Sequence, residues 1–202
     1  MRHKILWCLA AVSLSSGIAA ADPLRYRAQP ERARVWVIEA AGLFVEEGRV
    51  RRAVALPEWH WAGEPYACAP DIAIGPRGEA IVTSNVAPVL WKIDADTLAV
   101  SVHRLELDAD HDKDVGFSGL VYSERHGAYF AVSELQGSLW RIDPLLRRAQ
   151  KIALSEPVRG ACSVSMQQQR PSRFTRLRVD GRNVHLAPDQ RFAYVIFTGG
   201  VR

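Results

Sequence analysis

The chain has 202 residues, 48% of them hydrophobic, with 26 Lys and Arg against 22 Asp and Glu and a formal charge of +4. That is enough apolar material for one domain with a real core, and the small cationic surplus, part of it Arg2 and Lys4 at the N-terminus, does not point to nucleic acid as a partner. No stretch reaches the roughly 20 apolar residues of a membrane-spanning helix, so no membrane span is expected.

In chain order, Met1 to Lys4 is a short basic start, Ile5 to Ile18 is an apolar run, and Ala19-Ala20-Ala21 precedes Asp22-Pro23. This order reads as a signal peptide over 1–21, followed by a single domain over 22–202 in the periplasm or outside the cell. Cys8 lies inside the apolar run rather than at a lipoprotein cleavage site. Residues 34–56 hold three short apolar runs, Arg34 to Ala40, Leu43 to Glu46 and Val50 to Leu56, which read as the last strands of a partial unit whose first strand is missing. Trp59, His60 and Trp61 follow in a connecting loop. They form a candidate aromatic ligand pocket, although such clusters are more often packing.

Residues 70–107 and 117–154 are two copies of one unit at a constant offset: Gly78 returns as Gly127, Trp91 as Trp140, Asp94 as Asp143 and Leu105 as Leu154. Each copy has four short alternating strands separated by Gly, Pro, Asn and Asp turns, and a strand-rich repeat of roughly 40 to 50 residues is the mark of β-propeller blades. Trp91 and Trp140 are expected to pack between adjacent blades.

Residues 155–183 form a longer segment with Gln167-Gln168-Gln169 and Arg170, Arg173, Arg176, Arg178 and Arg182, read as a solvated insert or, alternatively, a surface for an acidic ligand. Residues 184–202 resemble the first two strands of another blade. Two complete blades and two partial ones predict an all-β, incomplete propeller, an open arc of about three to four blades with unpaired strand edges that invite a partner chain.

The strand, turn, strand, Leu-Trp-x-Ile-Asp pattern resembles the repeats of exported bacterial propellers of the YVTN and NHL kind, relatives of WD40-like folds. The segment from Phe117-Ser118-Gly119-Leu120 to Ala131-Val132-Ser133-Glu134 also resembles one blade of esterase-like phytase propellers. The likeness implies a fold and no particular substrate.

Candidate chemistry is sparse. Asp108, Asp110, Asp112 and Asp114 alternate as calcium ligands do, but Lys113 stands where a helix-loop-helix calcium site needs Gly, and Gly119 where it needs Glu. The ordinary reading is a solvated acidic loop. The two cysteines beyond the leader, Cys68 and Cys162, suit a disulfide in an exported protein, with two buried thiols as the alternative. His103, His126 and His185 lack zinc-ligand spacing, and Ser118, Ser133 and Ser163 lack a nucleophile elbow. The expected function is therefore binding of a protein or small-molecule ligand without catalysis or cofactor, on the channel face or the arginine-rich segment. The alternatives are a calcium-assisted hydrolase of the lactonase or phytase-like class, using such residues as Asp71 and Asn85, and a remnant of a longer propeller.

Overall fold

In a computed structural model of the chain, the structure describes residues 23–63, 68–167, 175–180, 182–187 and 192–196. The leader assigned to 1–21 lies outside them. Short runs rich in β-branched and aromatic residues, punctuated by tight turns, fold into antiparallel four-stranded sheets. Blade 1 contains β1 (Arg25–Gln29), β2 (Arg34–Glu39), β3 (Gly42–Glu47) and β4 (Val50–Val54), and blade 2 contains β5 (Ile72–Ile74), β6 (Ala80–Thr83), β7 (Val89–Ile93) and β8 (Val100–Arg104). After the short β9 (Glu106–Leu107), blade 3 contains β10 (Gly119–Ser123), β11 (Ala128–Ser133), β12 (Ser138–Ile142) and β13 (Arg148–Leu154). Blade 4 contains β14 (Val164–Met166), β15 (Thr175–Val179), β16 (Arg182–Leu186) and β17 (Phe192–Ile196). The first strands β1, β5, β10 and β14 are neighbours along the axis. The result is an all-β propeller arrangement of four blades that does not close.

Two sequence expectations are corrected. Blade 1 has its first strand: Arg25 pairs with Ile38 and Gln29 with Arg34. Its alternation of Arg25, Tyr26 and Arg27 carries no apolar stripe, because the guanidiniums, rather than methyl groups, make its inward contacts. The stretch 155–183 is not an insert but holds β14, β15 and the start of β16, so Val184 to Leu186 belongs to a third strand and Phe192 to Ile196 to a fourth. In β15, Thr175, Leu177 and Val179 are buried while Arg178 is exposed. The strand period was there, but charged residues on the outer face hid it. Arg170 and Arg173 lie outside the described residues.

The core sits between blades. Trp36, Ile38 and Val45 of blade 1 meet Val82, Trp91 and Ile93 of blade 2. Ile81 and Leu90 meet Phe117, Leu120 and Trp140, and Phe130, Val132 and Leu139 meet Leu177, Val179 and Leu186. Trp36, Trp91 and Trp140 are fully buried, and truncating such a side chain to Ala costs about 3–5 kcal/mol. Their indole N–H groups donate to Gln29 Oε1, Pro57 O and Ser138 Oγ, so burial strands no polar atom on these three rings.

The rim is laced as well. β9, the continuation of blade 2's outer strand, pairs in parallel with β13, and β13 in turn pairs in parallel with β17. Gly116 lets the lead-in to blade 3 cross close to blade 2, since a Cβ there would lie 2.0 Å from the carbonyl carbon of Asn85.

Candidate functional site

Two regions at one end of the molecule concentrate polar chemistry. The first is the axial mouth, where the inner strands begin. Asp71, just before β5, has a side chain only 3% exposed and faces Arg25 at 3.6 Å and Arg27 at 3.3 Å. Its Oδ1 also accepts from Ile72 N at 2.8 Å, and its Oδ2 from Leu120 N at 2.9 Å. Arg25 donates through Nε to Pro70 O at 3.5 Å, and through Nη2 to Cys162 O at 3.0 Å and Ser118 O at 3.4 Å. One side chain of blade 1 thus touches the lead-ins of all three other blades. Arg27 donates through Nε to Ile72 O at 2.7 Å. Nη1 of Arg25 and Nη1 of Arg27 have no protein partner among the described residues, and the two side chains are 25% and 39% exposed.

Cys68 and Cys162 are joined beside this cluster, with their Cα atoms 5.0 Å apart. This is the pair that the sequence offered for a disulfide, and its two members lie in the loops that lead into blades 2 and 4. Cys68 N donates to Glu134 Oε2 at 2.8 Å, which ties the same loop to blade 3. Asn85 is fully used: its amide holds Ala62 O and Cys68 O, and its Oδ1 accepts from Ala62 N. Neither Asp71 nor Asn85 is placed as an open metal ligand.

The second region is a flank cavity of about 450 Å³ beside the outer strand of blade 3. The register that pairs Gly119 with Val132, Ser133 with Ser138 and Leu139 with Ile152 puts it on the same end as the mouth. Asp108 and Gln136 stand at its rim, and Ile152, Leu154 and Pro157 supply apolar wall. Gly137, in the turn that forms one side, has φ +58°, a conformation that glycine adopts without strain.

The acidic run does not converge. Asp108 Oδ1 accepts from Lys151 N at 2.8 Å, while Asp110 binds Lys113 Nζ at 2.6 Å and Lys151 Nζ at 2.5 Å. The two ammonium groups hold the Asp110 carboxyl below its ordinary range. Asp112 and Asp114 are exposed. Among the described residues, no three His, Cys, Asp or Glu side chains are grouped to hold a metal ion.

The aromatic triplet divides. Trp59 and His60 pack edge-on against Trp91, with centroids at 5.2 and 5.9 Å, and Trp61 donates to Ala40 O at 3.2 Å. These residues cover the seam between blades 1 and 2 rather than line the flank cavity; Trp59 Nε1 is buried without a partner among the described residues. His126 contacts Ser123 Oγ at 2.8 Å and Thr175 Oγ1 at 2.6 Å, but Ser123 is only 2% exposed, so the group is a seam contact between blades 3 and 4. Burial, with help from Arg125 and Arg141, lowers the His126 pKa.

Sequence reasoning missed Arg25, Arg27 and the flank wall. The arginines belong to the strand it did not identify, and the cavity behind the wall is assembled from three separate segments of the chain.

No protein-family model and no curated protein matches the chain. Solved structures do. A streptogramin B lyase is similar at 12% identity and TM-score 0.62, over 87% of this chain and 55% of the lyase. A catalytically inactive virginiamycin B lyase from Staphylococcus aureus with quinupristin is similar at 13% identity and TM-score 0.60, over 83% of this chain and 53% of that one. Dihydro-heme d1 dehydrogenase NirN in complex with DHE is similar at 12% identity and TM-score 0.55, over 87% of this chain and 37% of its own. The chain spans about half the length of the lyases it matches. At such identities the likeness concerns the fold alone, which these comparisons and the four sheets together show to be a β-propeller.

Proposed function

We propose that this chain is an exported propeller that binds, without turning over, a ligand carrying an anionic group, carboxylate or phosphate, at its axial mouth. The observation that carries the reading is the charge arithmetic there: two partly exposed guanidiniums share one carboxylate, and each keeps an Nη1 without a partner among the described residues. A guanidinium fork matches the paired oxygens of such groups, and one held by backbone carbonyls loses little freedom when it binds them. The occupied oxygens of Asp71 favour binding over metal-assisted hydrolysis.

Export is supported by the basic and apolar leader and by the Cys68–Cys162 bridge, since disulfides persist in oxidising compartments. The repeat pattern favours the YVTN and NHL kind of exported propeller.

The test is calorimetric titration of the purified chain with citrate and with inorganic phosphate at low ionic strength. Binding that weakens about tenfold in Arg27→Gln supports the reading, in line with the loss of one charged hydrogen bond. Absence of binding, or affinity unchanged in the variant, would show that the arginines serve only as a brace. Cell fractionation of a C-terminally tagged chain tests export.

A further inference from the structure

The flank cavity is separate from the mouth and has a different character. Its wall is apolar, through Ile152, Leu154 and Pro157, and its volume of about 450 Å³ suits a drug-sized molecule. The polar atoms left unused at its rim are acceptors. Asp108 uses Oδ1 to cap Lys151 N and has no partner for Oδ2 among the described residues. Gln136 gives its amide N–H to Asp114 O and has no partner for Oε1 among the described residues. Lys151 also reaches the rim, but its ammonium group is already engaged by Asp110 Oδ2. The four carboxylates of the 108–114 run outnumber Lys113, Lys151 and Arg159, which lies beside Gly137, so the field over the rim attracts cations.

We infer that this cavity binds an amphiphilic amine, its ammonium group on Asp108 Oδ2 and Gln136 Oε1 and its apolar body against Ile152, Leu154 and Pro157. The strand behind it is fixed on both sides, by β12 along Ala149 to Ile152 and by the parallel partners β9 and β17 at its two ends. The wall is therefore preformed, and little ordering is needed on binding. The short unpaired stretch between β9 and β17 leaves no room for an added peptide strand, because Asp108 already occupies the N–H of Lys151. A small molecule fits this arrangement better than an extended peptide.

The test uses the full chain and three probe amines, tryptamine, phenethylamine and 4-phenylbutylamine, with indole-3-propionate as the acid matched to tryptamine. Calorimetry is expected to show binding of at least one amine and an affinity for the acid at least about tenfold weaker than for tryptamine. Asp108→Asn keeps an oxygen to cap Lys151 N and should weaken tryptamine binding about tenfold. Ala153→Trp, on an exposed position of the lining, should abolish it while leaving the melting temperature and citrate binding at the mouth intact. No amine binding up to about 5 mM, equal affinity for acid and amine, or an unchanged affinity in Asp108→Asn would each overturn the inference. Loss of citrate binding alone would count against the mouth and leave this site standing.

Discussion

At the axial mouth one buried carboxylate, Asp71, answers to two guanidiniums from blade 1, the backbone of blade 2 and the backbone of blade 3. On the flank Asp108 is exposed, caps a single N–H on blade 3 and has an oxygen to spare. Both are aspartates in the connections between blades, and their surroundings decide what each does. The first closes a network whose members come from every blade, so altering it alters the fold. The second edits one strand edge, and a ligand can use it without disturbing the packing between blades.

The sharpest way to break this comparison is Asp71→Ala. Removing it leaves Arg25, Arg27 and two amide groups without their shared acceptor, an expected loss of about 3–5 kcal/mol read by urea denaturation. A loss below about 1 kcal/mol would mean that the mouth is no brace. Next comes the bridge: the paired Cys68→Ser and Cys162→Ser variant should lose about 2–4 kcal/mol, and dithiothreitol should act on the native chain but not on the variant. Asp108→Ala should cost about 1 kcal/mol or less, since one hydrogen bond at an exposed site is removed. Equal costs for Asp71→Ala and Asp108→Ala would erase the distinction drawn above.

The smallest effect is on pH dependence. Asp110 has a folded pKa below its ordinary value because Lys113 and Lys151 bind the ionised form. Its contribution is therefore present above the unfolded value of 3.8 and is lost as pH falls from there through the folded value. Because both ammonium partners are partly open to water, at 44% and 35% exposure, the effect should be a slight extra slope of the melting temperature below about pH 4, flattened in Asp110→Asn.

Blades 2 and 3 were legible in the sequence because each copies the other residue by residue, with buried Trp91 and Trp140 at matching positions. Their flanking blades were not, and for a physical reason. A strand is recognised by apolar alternation, whereas β1 turns Arg25 and Arg27 toward the axis, and β15 turns Arg178 to solvent. In both, the backbone ladder forms regardless of what the other face carries. The pairing of Cys68 with Cys162 followed from compartment and residue count, but not the loop path that makes it possible. The flank cavity left no mark in any local pattern, since its rim joins Asp108, Gln136 and Lys151 from three separate segments.

The bridge also has a topological consequence. Its two cysteines are 94 positions apart and enclose all of blades 2 and 3 in one covalent ring, leaving blades 1 and 4 as tails on either side of the knot. A single protease cut anywhere inside that ring converts the chain into two polypeptides that still travel as one molecule until a reductant is added. A cut outside the ring releases its fragment as soon as the noncovalent contacts fail. In a setting rich in proteases, the two middle blades thus tolerate a nick that would cost either outer blade its place in the molecule.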